Sequence, residues 1–497
     1  MSNPNKTVFS QLIVLFKLAG PIILGNFAFA ILGITDMMMA GMAGTPDQAG
    51  VAVGGSFFFP AITFVIGMVS ALHPIVSRHC GARTKELIPQ AHAHSIVACL
   101  AVGLVLMVIL LLLAQFAIEM DTSARMEEVA RFFVTCVAFC VPISALYANG
   151  RAYCEAMGVT STTLYFGLLA VILNVPLCYV LIFGHLGLPA LGGKGCGVAT
   201  LCSLSMSTVI MYIYICLHPK LKDYSVLKNR SGINFQGIKD FIKLALPLGI
   251  SSSVECSCFA LIALLLSPLG PTVVSAHTIT MSLTSFTFNI PLSLGIAASI
   301  MVGYAIGKNN LNTLRLNIKA GYWAMLISIS VSVAILVGGR NHLPRLFSHD
   351  EAVLALAGIL IFFASFNQLF ESTQTIQAFM LRGFKDTLTI LGVTFVAFYC
   401  VALTIGVSLC YGYLHIPYLE TLIGDPQTGL EGPRGFWVGL ACGLVTASIL
   451  YRLRVLKHYR NLKAVMQQEQ QGKPQSSTQL PEAQQRNEQQ GVQQDAQ

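Results

Sequence analysis

Stretches of roughly 20 consecutive apolar residues, each long enough to cross a bilayer as a helix, follow one another from Gln11 nearly to Tyr451 with short polar breaks between them. Inside lipid the backbone has to satisfy its own hydrogen bonds, so each stretch is read as a helix. Twelve spans are expected. The first six are Gln11–Ala40, Val51–Val76, Ser95–Ile118, Val129–Asn149, Thr163–Phe183 and Gly195–Leu217. The second six are Leu244–Leu266, Ala276–Val302, Ala320–Val337, Val353–Phe379, Leu388–Cys410 and Gly435–Leu450. With 10% charged residues over 497 positions, no room remains for a large soluble domain. The expected fold is an all-α polytopic membrane protein with twelve transmembrane helices.

Positive charge alternates across these spans. Arg78, Arg83 and Lys85 follow the second span, whereas Glu119, Asp121, Glu127 and Glu128 dominate the next loop. Lys220, Lys222, Lys228 and Arg230, then Lys308, Arg315 and Lys319, then Arg382 and Lys385, then Arg452 to Lys463 all fall on the side of the first cluster. The positive-inside rule places that side, and both termini, in the cytosol of a multi-pass protein of the bacterial inner membrane.

The chain also resembles itself. Pro21 and Pro247 stand 226 positions apart, and Gly44 with Gly270 and Gly81 with Gly307 share that offset. Each half has six spans, so the copies share one orientation, as two pseudo-symmetric six-helix lobes. The expected organisation is one lobe over residues 1–230, a second over 231–465, and a disordered, Gln-rich cytosolic tail over 466–497. Two lobes of equal orientation suit a molecule that rocks about a central cavity, which favours transport over catalysis.

Ionisable residues inside spans carry the sharpest functional signal, since each costs about 2.5–3.5 kcal/mol at mid-membrane. Asp36, Glu255 and Glu371 qualify, and no Lys or Arg sits deep in a span to match them. Glu371 has Asn367 and Gln374 one turn away on either side; Glu255 has Ser251 one turn away; Asn26 and Gly33 are assigned to the face of Asp36. Such carboxylates suit an electronegative cavity in which a proton and a cation compete for one group. Glu255 and Glu371 are expected to form one cation site, which would take a sodium ion or a proton, and Asp36 to anchor another. For Asp36 a place at the outer interface is the competing reading. Asn174 with Pro176 either kinks the fifth span or frees carbonyls for a cation.

Other chemistries are not encoded. The 14 cysteines are scattered through apolar runs and read as small buried residues rather than metal or redox groups. Gly192-Gly-Lys-Gly lacks the spacing of a phosphate-binding loop, and no hydrolase or zinc-protease motif is present. His73 and His277 are read as hydrogen-bonded residues near span ends, His92 and His94 as cytosolic, and Glu155 as an interfacial partner of Arg151. Neither an enzyme nor a nucleic-acid binder is expected, and neither a cofactor nor a partner protein is required.

Several segments resemble the multidrug and toxic compound extrusion family in its NorM-type branch. They are Gly33-Ile-Thr-Asp-Met-Met-Met-Ala-Gly41 in the first span, Gly184 to Thr200 leading into the sixth, Ala260 to Gly270 ending the seventh, and Leu381-Arg-Gly-Phe-Lys-Asp-Thr387 after the tenth. The resemblance covers nearly all of the chain up to the tail. It implies export of organic cations and drugs in exchange for sodium ions or protons. By the same resemblance Asp36 is the first-lobe acidic residue, with Asn174 and Thr200 near it, and Glu255 is the acidic residue of span seven. Glu371 stands where the branch usually has Asp, Asn367 where it often has Tyr, and Cys178 where an amide or acid is common, so the coupling ion stays open. A related lipid or polysaccharide flippase is the alternative, and it would need cavity cations to grip phosphate.

Overall fold

The computed structural model describes residues 7–116, 124–226, 232–415 and 432–470. Among them, twelve helical spans are long and apolar enough to cross a membrane. The chain forms two compact units, Met1–Arg452 and Leu453–Gln497, and all the packing described below belongs to the first. In the second, the described residues are the basic end of the last helix, with Arg454, Lys457, Arg460 and Lys463. That helix continues through Gln470, so the expected tail begins helically at Met466. The rest of the tail, and Glu119, Asp121, Lys228 and Arg230 of the loops, lie outside the described residues.

In the first half, α1 (Val8–Ala43) leads to α2 (Thr45–Val69), which a short break separates from α3 (Leu72–Ala82). Then follow α4 (Ile88–Phe116), α5 (Ala124–Ala156), α6 (Ser161–Phe183) and α7 (Lys194–Leu217). In the second half, α8 (Phe235–Leu266), α9 (Pro271–Gly307), α10 (Leu311–Gly339) and α11 (Glu351–Phe384) precede α12 (Thr387–Phe395). A π-helical stretch, Val396–Leu403, joins α12 to α13 (Thr404–Cys410), and α14 (Pro433–Gln470) ends the described chain.

Within the first half α5 is the hub, packed on α2, α4 and α7, while α1 lies on α6. Within the second half α9 packs on α10 and α11, and α8 on α12. The halves are joined chiefly by α1 with α9 and α10, α2 with α8, α3 with α9 and more lightly with α11, and α4 with α8. The α3–α9 contact lies on the side of the membrane where the chain begins, here called the terminal side. There Ser77 and Gly81 on α3 meet Gly303 and Gly307 on α9, a small-xxx-small pair on each helix. A methyl group on Gly81 would overlap the Tyr304 carbonyl, and one on Gly307 would overlap the Arg78 carbonyl. Residues 78 and 304 share the offset of 81 and 307, so the repeat axis passes through this crossing.

His92 and His94, read as cytosolic, are buried: α4 starts at Ile88, seven residues before the expected span, and carries both rings inward near its terminal-side end. The His92 ring stacks on Tyr153 at 4.6 Å, and His94 Nε2 accepts from the Asn234 backbone N–H at 3.3 Å.

The Gly192-Gly-Lys-Gly turn also finds its reason at the opposite end of the first half. Asp47, in the first turn of α2, accepts from Arg125 Nη2 at 2.8 Å and from the Gly193 N–H at 2.6 Å. The carboxylate thereby sits at the positive end of α7. Gly192 has φ +60°, and a Cβ there would lie 2.5 Å from Asp47 Oδ1. Gly192→Ala is therefore expected to cost about 1–3 kcal/mol through strain and displacement of that carboxylate. A lower thermal midpoint of the purified protein, with the helical signal unchanged at low temperature, is the checking observation.

Candidate functional site

Two polar sites form, one in each half. In the first, Asp36 stands on the half of α1 remote from the termini. Cys196, Thr200 and Ser203 recur at four- and three-residue spacing on α7, and Asn174 and Cys178 at four-residue spacing on α6. Pro176 lies between those two and removes an N–H from the α6 ladder. The three helices bring these faces together. Thr200 Oγ1 donates to Asp36 Oδ2 at 3.3 Å, and Cys178 Sγ donates to Asp36 Oδ1 at 3.3 Å. Asn174 Nδ2 reaches Thr200 and Ser203 at 3.5 Å each. Cys178 and Cys196 are fully buried, whereas Asp36 is half-buried, so the carboxylate stands in front of the thiols.

In the second site, Glu255 on α8 faces Glu371 on α11, close enough for their charges to interact. Gln374 Nε2 on α11 donates to Glu255 Oε1 at 3.4 Å, and Gln368 hydrogen-bonds Glu371 from one turn away. Gln368, Glu371 and Gln374 recur every three residues, which lays an amide–acid–amide stripe along the α11 face turned to α8. The oxygens Gln368 Oε1 and Gln374 Oε1 have no protein partner although both are buried. They are oxygen donors beside two carboxylates, the donor type that hard cations take. Glu255 and Glu371 themselves are half-buried.

Three residues expected at these sites stand elsewhere. Ser251 Oγ is hydrogen-bonded to Thr394 at 2.8 Å, and Thr394 in turn to Tyr451 at 2.8 Å. Asn367 Nδ2 donates to the Trp437 carbonyl at 3.1 Å. Asn26 lies at the seam between the halves, not beside Asp36. Its Nδ2 donates to Ser293 Oγ on α9 at 3.0 Å, and its Oδ1 accepts from Arg151 Nη2 at 2.7 Å.

Arg151 belongs to a larger buried network than the sequence suggested. Glu155, 1% exposed, accepts from Arg151 at 2.7 Å and from Thr163 Oγ1 at 2.6 Å, and bonds the His73 ring at 2.8 Å. Five helices meet in this network, and through Asn26 it reaches the second half. Nearby, the rings of Phe27 on α1 and Phe286 on α9 stack across the seam at 4.6 Å.

The profile of the MatE family matches this chain twice, at residues 21–180 and again at 247–408. The chain belongs to the MatE family. It is therefore a transporter and not an enzyme. The two MatE matches begin 226 positions apart, the offset read from Pro21 and Pro247. Among similar proteins, a probable multidrug resistance protein NorM of Shewanella oneidensis is 32% identical over 90% of this chain and 95% of its own length. A multidrug resistance protein MdtK of Edwardsiella ictaluri is 31% identical, covering 89% and 94%. Among solved structures, a eukaryotic MATE transporter superposes with a TM-score of 0.78 at 22% identity, over 92% of this chain and 99% of that one. A transporter from Pyrococcus furiosus, described as having reverse polarity in its binding pocket, superposes at 0.77 with 20% identity over 93% and 100%. At these identities the MatE fold is shared, and cavity chemistry has to be read from this chain's own residues.

Residue spacing on single helices did not find everything. Ser203 and Cys196 on α7 and Gln368 on α11 complete the two sites. The signal available was the polar stripe Cys196, Thr200, Ser203 in an otherwise apolar span.

Proposed function

We propose that this chain exports organic cations and drugs as a secondary active antiporter, driven by sodium ions or protons and alternating access between its two halves. The observation that carries the reading is the state of three carboxylates. Asp36, Glu255 and Glu371 are half-buried within the spans, and the ion pairs found among the described residues all lie elsewhere. Among those residues the one protein cation whose charge reaches this group is Arg382, which acts on Glu255 without an ion-pair contact. A carboxylate in that position keeps its charge only with a cation beside it, and otherwise takes a proton. Exchange of one cation for another follows from that competition. The names of the relatives, multidrug resistance proteins, support drugs as the cargo.

Each half has its own role. The Glu255 and Glu371 site, with two acids and two free amide oxygens, is the coupling site and would hold a sodium ion or a shared proton. Asp36 with Asn174 and Thr200 supplies the second cation site. Phe27 and Phe286, stacked at the seam, offer an aromatic floor to flat cations. The terminal side carries the basic loops, which supports a cytosolic location for both termini in a bacterial inner membrane. Tight α3–α9 packing there, with Asn26–Ser293 and the Arg78 bond to the Gly383 carbonyl at 2.8 Å, supports a state closed to the cytosol.

The test is efflux of a fluorescent organic cation from proteoliposomes, with sodium and proton gradients imposed separately. One of the two gradients is expected to drive uphill export. If neither does, and labelled lipid is flipped instead, the export reading is overturned.

A further inference from the structure

The outer face of α10 is left uncovered on the terminal side. Lys319, Tyr322, Trp323 and Leu326, at spacings of three and four residues, line an open groove of about 260 Å³ there. From α14, Arg452 places its guanidinium over the Tyr322 ring, 5.3 Å from the centroid, and Lys319 stands one turn from the same residue. Neither cation takes part in an ion pair found among the described residues, and the groove's lining holds no carboxylate. The Tyr322 hydroxyl is buried and has no hydrogen-bond partner among those residues. Trp323 is 56% exposed, whereas Trp437, the other of the chain's two tryptophans, is buried.

The order of these residues along α10 is the order of layers in a lipid leaflet. Lys319 comes just before the apolar run that begins at Ala320. Trp323 lies one turn deeper, at the level where amphipathic rings settle in an interface. Leu326, exposed like Ile327 and Val331 beyond it, lies about 10 Å from Lys319 along the helix axis, at acyl-chain depth. We propose that this groove binds one anionic glycerophospholipid, its phosphodiester held between Lys319 and Arg452 and one acyl chain laid along Trp323 and Leu326. Two unpaired cations at a lipid-facing edge attract phosphate, and a guanidinium already held on a ring loses little freedom in binding it. A zwitterionic lipid brings its own ammonium, which both cations repel. Free phosphate has the charge but nothing to lay on Trp323 and Leu326.

The inference needs α10 to start at a membrane interface, and it does not rest on export or on the coupling ion. Because Trp323 is the exposed tryptophan, quenching of the chain's fluorescence reports which lipid lies in the groove. Full-length protein is placed in vesicles of phosphatidylglycerol and phosphatidylcholine in equal parts, with bromine on the acyl chains of one lipid or of the other. Brominated phosphatidylglycerol is expected to quench beyond its share of the bilayer, and brominated phosphatidylcholine below its share. Equal quenching by the two in wild-type protein overturns the proposal, whatever the variants do. Lys319→Gln and Arg452→Gln are each expected to lower the preference for the anionic lipid about fivefold, the contribution of one cation at a charged surface. An undiminished preference in both overturns the assignment. Lys220→Gln, at an exposed lysine on the terminal side of the first half, should leave the preference unchanged; an equal loss there means general surface charge and not a groove. Trp323→Phe should abolish the difference between the brominated lipids, and a difference that persists places the bound lipid elsewhere. Inorganic phosphate at millimolar concentration should not relieve the quenching; relief would make this a free-phosphate site and overturn the lipid assignment.

Discussion

Glutamine in place of Glu371 is expected to reduce gradient-driven export of an organic cation by about a hundredfold while leaving the protein folded. The side chain keeps its length and its hydrogen-bonding reach to Gln368, but the negative charge is gone. Leaving a bound cation without one of its two counter-charges at membrane depth costs about 3 kcal/mol, which converts to roughly that factor. Glu255→Gln is expected to act alike, because Gln374 binds Glu255 from the same stripe that carries Glu371. The double variant should lose little more than either single one, since residues of one site do not add. Downhill exchange of labelled substrate, measured with no gradient, separates coupling from substrate binding: it should survive in the Glu371 variant while the response to sodium or protons disappears. Wild-type gradient dependence in both single variants would sink the assignment of this site as the coupling centre.

How much of this could be read beforehand differs between fold and site. The spans were legible because lipid leaves the backbone no option but helix, and the repeat because Pro21, Gly44 and Gly81 recur at one offset; the twofold MatE match starts at the same pair of prolines. The sites were legible only along single helices. Asp36, Asn174 and Thr200 come together, and so do Glu255, Glu371 and Gln374, since each group is the polar exception on its own apolar helix. Asn26 failed that logic for a plain reason: ten residues of helix is about 15 Å of rise, so a face shared with Asp36 is not a site shared with it. At its own level the side chain meets Arg151 and Ser293 instead. Asn367 and Ser251 lie one turn from an acid, yet Trp437 and Thr394 on neighbouring helices take their hydrogen bonds. Which helix faces which is tertiary information. The same lack hid the two thiols at Asp36, Cys178 on α6 and Cys196 on α7, which meet α1 only across the helices.

On the proposed alternating-access reading, the tight α3–α9 crossing on the terminal side gives the second large effect. Gly81→Ala and Gly307→Ala each place a methyl group into a backbone carbonyl of the facing helix, Tyr304 in one case and Arg78 in the other. A side chain could swing aside, but backbone cannot move without parting α3 from α9. Both variants should therefore disfavour the state closed on the terminal side, and a shift from 1:99 to 99:1 needs only about 5.5 kcal/mol. Because the two positions are related by the repeat, their effects should match in size, which generic damage at two unrelated sites would not produce. Hydrogen–deuterium exchange is the direct readout: amides from Arg78 to Arg83 and from Tyr304 to Asn310 should exchange faster in both variants, with gradient-driven export lost in parallel. Gly20→Ala on α1 is the control, since nothing lies within 4 Å of its missing methyl, and it should change neither quantity. If the two seam variants keep wild-type protection and wild-type export, the α3–α9 crossing has no part in transport and the proposed closure at this seam is overturned.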